Sequence, residues 1–356
     1  MKAMRPRWAS IAALVLLAGC LAQPDAKPSS PAVAMADPPA IDIDRFLHDY
    51  QAFVTTYPDR AGNVATHLGA RQDIVQRLAG AGLDVWREDF TDGGMDQANL
   101  IGVHWGLDRT HWLVVGAHYD DAANDCGVAA QTNQPAACVG RKATQGAYDN
   151  GSGTALTMEL ARTLSNNTSN LTVAFALFDG EERGLQGSRA FVQDLLDGDT
   201  PWGEVTVDMM LNSDMFGLTW PGVGAPIHFY DDTGRMKGAV EEARLALGVP
   251  DDRIVYGNDI PPGASDDGPF LAANIETGAF DSDFSYVDGP NGLLVGRQLP
   301  GAYPFFHVAD TWDSMALAAG GPDHVRSGFT TALGLETRVV WTLGGFASAA
   351  ADSPQD

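Results

Sequence analysis

The chain has 356 residues, enough for one large α/β domain, and its 45% hydrophobic content is ample for a sizeable core. Acidic residues outnumber basic ones 46 to 22, a formal charge of -24, and no basic cluster occurs in the body of the chain, which argues against nucleic acid as a partner. The acidity would favour a cationic ligand such as a free α-amino group, although a solubilising surface is the simpler explanation.

At the N-terminus, MKAMRPR carries Lys2, Arg5 and Arg7, and ASIAALVLLAG is an apolar segment of eleven residues, too short to span a bilayer. It closes on Leu17-Ala18-Gly19-Cys20, which resembles the bacterial lipoprotein processing box and implies cleavage before Cys20 and lipid attachment to it; ordinary secretion, with Cys20 a chance residue, is the alternative. Residues 1–19 therefore read as a signal peptide. Residues 20–39, rich in Pro, Ala and Ser and without amphipathic period, read as a tether. The expected location is the bacterial cell envelope, lipid-anchored at the outer membrane or periplasmic face, or secreted, with Cys20 as the sole membrane contact. A catalytic domain is expected over 40–350, followed by a short tail at 351–356.

Along the body, IDRFLHDYQAFV and NVATHLGARQDIVQRLAGAG place apolar residues at helical spacing, and Gly82 stops the second. LDVWREDF, ANLIGVHW and HWLVVGAH read as strands. In DCGVAAQTNQPAAC, an apparent loop insertion, Cys126 and Cys138 are spaced for a small disulfide loop in an oxidising envelope; free thiols or zinc ligands are the alternatives. Next come a helix at SGTALTMELARTL, a strand at LTVAFALF, a helix around GSRAFVQDLL and a strand at EVTVDMMLN. KGAVEEARLALG is a helix, NIETGAF a short strand, and 323–347 a long terminal helix. Continuous apolar runs such as LTVAFALF suit the interior of a sheet covered on both faces. The expected fold is a single α/β domain of three αβα layers, with a mixed, mostly parallel central sheet flanked by helices.

Chemistry gathers at the strand ends. HWLVVGAH ends on His118, with Asp120 two residues on; LTVAFALF runs into Glu181 and Glu182; VTVDMMLNSD ends on Asp214. Asp149, in GAYDNGSG, and His307, in PFFHVADTW, join from loops. The rim beyond the strand ends is where open α/β sheets bind ligands. Two histidines and several carboxylates without cysteine are the ligand chemistry of a catalytic zinc or similar divalent ion. Adjacent Glu181 and Glu182 repel unless a cation neutralises at least one, so Glu182 can bind metal while Glu181 faces the attacking water as general base. A bare Glu-Glu after a strand is ordinarily a solvated helix start; its company argues otherwise here.

In this order, GAHYDD (116–121), GAYDNGSGTA (146–155), LFDGEERGLQGSRAF (177–191), LNSDMFG (211–217) and FHVADTWDS (306–314) resemble the co-catalytic zinc exopeptidase family, which contains bacterial secreted aminopeptidases and, as relatives, glutaminyl cyclases. ASDDGPF (264–270) looks like the family's Ser-Asp-His segment with Asp267 in the His position, which puts the substrate-side pocket in doubt. The resemblance covers about residues 58–345. It implies two zinc ions bridged by Asp149, with His118 and Asp214 completing one and Glu182 and His307 the other. It also implies Glu181 as base, Asp120 as a group steadying the site, and a cis peptide at Asp149–Asn150. The implied activity is removal of N-terminal residues from peptides, a metallo-aminopeptidase, with the peptide as partner. Cyclisation of N-terminal glutamine on one zinc, a carboxypeptidase or dipeptidase variant, and a catalytically dead binding module are the alternatives. An intact ligand set disfavours the last.

Other prominent residues have plainer readings. His104, His111 and His228 lack a ligand partner in sequence and read as surface or packing histidines. Phe305, Phe306 and Trp312 around His307 serve equally as pocket lining or as packing. Tyr286, in DSDFSYVDGPNG, is a weak candidate oxyanion partner.

Overall fold

Helix α1 (Ile43–Thr56) begins where the Asp42 carboxylate accepts the Arg45 N–H at 3.1 Å, and it buries Phe46, Tyr50, Phe53 and Val54, one stripe at i, i+4, i+7 and i+8. α2 (Ala65–Gly80) follows and stops at Gly82, whose φ of +82° breaks the helix as expected. The structure, a computed structural model, describes residues 37–62, 64–121, 145–218, 227–231, 234–257, 263–282 and 310–347. The expected signal peptide, Cys20 and nearly all of the tether lie outside the described residues. So do Cys126 and Cys138, Tyr286, Phe305, Phe306, His307 and the tail.

Strands β1 (Asp84–Asp92) and β2 (Met95–His104) form an antiparallel hairpin turned by Gly93 and Gly94, both at positive φ. β3 (Asp108–His118), α3 (Gly151–Leu164), β4 (Leu171–Phe178), α4 (Gln186–Asp197) and β5 (Thr206–Ser213) then alternate. β6 (Ile227–Asp231), α5 (Arg235–Leu247), β7 (Ile254–Tyr256), α6 (Asp267–Ala272), β8 (Glu276–Ser282), α7 (Trp312–Ala318) and α8 (Pro322–Gly344) complete the order. The long terminal helix was expected; β7, α6 and α7 were not, being too short to show a period.

The strands make one eight-stranded sheet in the order β1-β2-β4-β3-β5-β8-β6-β7. Its centre, β4-β3-β5-β8, is parallel, while β2 against β4 and β6 against β8 are antiparallel. The mixed sheet expected from the sequence is thus observed, and helices cover both faces. One core gathers Val115, Phe175 and Leu211 of the central strands with residues of α1, α2, α3, α5 and α8. The other gathers Val114, Phe178 and Met210 with Phe191 of α4 and Phe270 of α6, and the rings of Phe178, Phe191 and Phe270 stand about 6 Å apart, between 5.9 and 6.1 Å. This pattern, a strand alternating its apolar residues between two cores, is why LTVAFALF carries no polar face; its one polar side chain, Thr172, donates its hydroxyl to Asp108 O at 2.9 Å.

One topological detail places the site. From β3 the chain crosses by α3 to β4 on one side, then by α4 to β5 on the other side of β3. The end of β3 is therefore a switch point, where the diverging connections open a crevice at the C-terminal rim of the sheet.

Candidate metal centre

His118, the last residue of β3, stands at that crevice with 1% of its surface exposed. Its Nε2 lies 3.3 Å from Asp214 Oδ1, 3.4 Å from Asp149 Oδ1 and 4.0 Å from Glu181 Oε2. The donor atoms of His118, Asp149 and Glu182 all lie within 4.8 Å of one another. Six of the seven residues singled out in the sequence therefore meet at one rim, and the seventh, His307, lies outside the described residues. The peptide between Asp149 and Asn150 is cis.

Each of these side chains is set by its local backbone. Past β4 the chain turns through Gly180 at φ +68°, a position where a Cβ would fall 2.2 Å from Gln97 Oε1, and enters a short 3-10 turn, Glu181–Arg183. Asp120, 3% exposed, accepts the backbone N–H of Glu181 at 3.1 Å and of Glu182 at 3.4 Å on its carboxylate, while its carbonyl oxygen lies 3.2 Å and its Oδ1 3.4 Å from His118 Nδ1. One residue thus fixes both the imidazole and the start of the Glu-Glu turn. Asn150 caps α3: its Oδ1 accepts Gly153 N at 2.8 Å and Met215 N at 3.2 Å, and its Nδ2 donates to Ser213 O at 2.9 Å. That amide links the loop of Asp149 to the strand end that carries Asp214. Asp214 in turn receives the Ser265 hydroxyl at 2.9 Å, itself held by Asn212 at 3.0 Å.

The electrostatics are those of a site built round positive charge. Burial alone pushes the Glu182 carboxyl well above its usual range, and Asp149 and Glu181 beside it push the same way. Glu181 is raised by burial, with Asp214, Asp266 and Asp120 adding to it and His118 opposing. Burial works against a charged His118, yet Asp214, Glu181, Asp120 and Asp149 outweigh it and hold the imidazole pKa well above ordinary. So many carboxylates round one imidazole are unfavourable without a cation, and oxygen and imidazole donors with no thiolate fit zinc or another divalent ion. The residues present therefore fit a bound metal.

Two further residues belong here that sequence reasoning passed over. Asp266 is fully buried; burial raises its pKa to about 7 against the pull of His118, and its charge is felt by Glu181. Its signal was the adjacent pair Asp266-Asp267, two like charges side by side as in Glu181-Glu182. Asp310, 1% exposed, accepts Tyr148 N at 2.8 Å and Asp149 N at 2.8 Å, so it grips the backbone of a residue whose carboxylate could hold a metal. Its signal was its place three residues after His307. Asp267 itself heads α6, fully buried, where it accepts the Tyr230 hydroxyl and Gly263 N, the latter at 2.8 Å. It does structural work at the position where the family resemblance expects histidine.

The histidines read as ordinary prove so in part. His111 pairs with Asp208 at 2.9 Å on the surface, and His104 stacks on Phe346 with ring centroids 5.5 Å apart. Trp312 packs edge-on to Tyr50 at 5.1 Å.

The model of peptidase family M28 matches residues 99–319, from β2 through α7. The chain belongs to peptidase family M28. Among its relatives, aminopeptidase YwaD of Bacillus subtilis (strain 168) is 33% identical over 140 residues, 38% of this chain and 28% of that protein. The M28 chain spans between 20% and 38% of the length of the first curated relatives it matches. Among solved structures, BSAP, a zinc aminopeptidase from Bacillus subtilis, superposes with a TM-score of 0.61 at 14% identity, over 88% of this chain and 97% of that one. Porphyromonas gingivalis glutaminyl cyclase does so with a TM-score of 0.62 at 18% identity, over 86% and 100%. These structural likenesses establish the fold, and they do not separate the two chemistries.

Proposed function

We propose that this M28 chain is a metallo-aminopeptidase that hydrolyses the N-terminal peptide bond of peptides. The observation that carries the reading is the meeting of His118, Asp149, Glu182 and Asp214 at the switch-point crevice, with a separate carboxylate, Glu181, turned toward the same space. His118, Asp149, Glu182 and Asp214 would hold the zinc, with His307 as a further ligand. Bound there, zinc supplies Lewis acidity to a water and to the scissile carbonyl.

The chain's own groups do the rest. Glu181 takes a proton from the attacking water and hands it to the leaving amine. Its Oε2 stands 4.0 Å from His118 Nε2, close enough to the ligand set to reach a water held there. Asp120 keeps Glu181 and His118 in register through its bonds to the Glu181 N–H and the imidazole. The carboxylate-rich rim attracts the cationic α-amine of a substrate, which favours free N-termini.

The deciding experiment counts zinc per chain and assays the same sample on aminoacyl anilides and on a peptide with N-terminal glutamine. Two ions with anilide cleavage support the proposal; one ion with pyroglutamate formation and no cleavage reverses it in favour of a cyclase.

A further inference from the structure

The loops that carry His118 and Asp149 are tied together by a residue outside the matched family segment. Arg60, in the connection between α1 and α2, is completely buried. Its Nε donates to Tyr119 O at 2.6 Å, its Nη2 to Gly146 O at 2.8 Å, and its Nη1 to Gln145 O and, at 3.2 Å, to Tyr57 O. Its counter-charge is Asp121, whose Oδ2 stands 3.8 Å from Nη1 and also accepts the Arg60 backbone N–H at 2.8 Å. Tyr119 directly follows His118; Gln145 and Gly146 shortly precede Asp149.

We propose that Arg60 is a positioning residue of the metal centre, gathering the backbone just after His118 and just before Asp149 into one guanidinium fork and so fixing the separation of those two side chains. The inference rests on the metal centre read above.

Three features argue for it. The bonds run to backbone carbonyls of both ligand-bearing segments, and a planar fork with five N–H donors spans them as a single lysine nitrogen does not. The segment before Asp149 is shaped to the guanidinium: Gly146 has φ +47°, and a Cβ there would fall 2.8 Å from Arg60 Nη2 and 2.5 Å from Asp121 Cβ. Helix α1, which leads into the turn that holds Arg60, supplies a second strut, because the Tyr50 hydroxyl donates to Ala147 O. A buried cation is costly unless its geometry is used, and here every nitrogen of the fork is used on the two loops or on the turn that holds Arg60 itself.

The test compares wild type with Arg60→Lys, Arg60→Gln and Tyr50→Phe. Thermal unfolding of each metal-free chain reports folding, chelator competition gives dissociation constants for Zn2+ and Co2+, and the visible spectrum of the Co2+ form reports ligand geometry. A folded Arg60→Lys is expected to bind zinc about 10- to 100-fold more weakly, with an altered Co2+ spectrum and with kcat falling more than KM changes. Tyr50→Phe should lose affinity in the same direction, by less. An Arg60 variant that folds and binds zinc within about twofold of wild type with an unchanged spectrum overturns the proposal. Where neither Arg60 variant folds, Tyr50→Phe decides, and unchanged zinc affinity there overturns it. A wild-type chain that holds no metal overturns the centre itself, a failure distinct from that of Arg60.

Discussion

Glu336 offers a sharp test of how this fold treats charge near its centre. It lies on α8 with no exposed surface, and its Oε1 accepts the Ser213 hydroxyl at 2.7 Å, one residue before Asp214. Burial raises its pKa from an ordinary 4.5 to about 7, only partly offset by Ser213. A carboxyl raised by folding holds its proton longer in the folded chain, so its favourable contribution is complete below pH 4.5 and is lost as the pH climbs through 7. At about 1.4 kcal/mol per unit, that rise corresponds to about 3 kcal/mol withdrawn from the folded state above neutrality. Glu336→Gln keeps an acceptor for Ser213 and cannot ionise. It should match wild type at pH 4 and exceed it by about 3 kcal/mol at pH 8, measured by urea unfolding of both chains across that range. A stability difference that stays constant with pH would refute the reasoning, because it would mean that Glu336 does not change its protonation on folding.

Other outcomes follow from the centre. Glu181→Gln should retain metal, measured by elemental analysis, while kcat/KM falls about 10²- to 10⁴-fold; near-normal turnover would remove Glu181 as the base. Glu182→Gln and Asp149→Asn should instead weaken zinc binding in chelator competition. Stripping the metal should abolish activity and lower stability, by about 2.7 kcal/mol relative to the chain at free zinc 100-fold above its dissociation constant, and added zinc should restore both. In Gly153→Ala the new Cβ would stand 2.1 Å from Ser213 O and 2.5 Å from Asn150 Oδ1, so a loss of about 3 kcal/mol in thermal unfolding is expected, along with weaker metal retention.

Much of this molecule was legible in its sequence because the signals were physically redundant. β4 announced itself as an interior strand by lacking a polar face, and His118, Glu181 and Asp214 were each marked by standing where an apolar run ends. The order of the strands was not legible, since pairing partners are chosen by tertiary packing; neither was the Gly93-Gly94 hairpin that starts β2 three residues earlier than its apolar run. α6 has six residues and β7 three, lengths at which no periodicity can be read. Arg60 gave no sign at all: a single arginine in YPDRAGN looks like any surface residue, and only its carbonyl partners, up to 86 positions away, reveal its use.

On the proposed reading, the donors His118, Asp149, Glu182 and Asp214 come from four separate segments, three of them at the ends of adjacent strands. No pair is within a helical turn of another, so no fragment of the chain chelates well by itself, and tight capture of the ion must await pairing of β3 with both its neighbours. In a refolding time course the colour of Co2+ would accordingly appear last, after far-ultraviolet ellipticity has recovered, which makes the ion a witness to completed assembly rather than a seed for it.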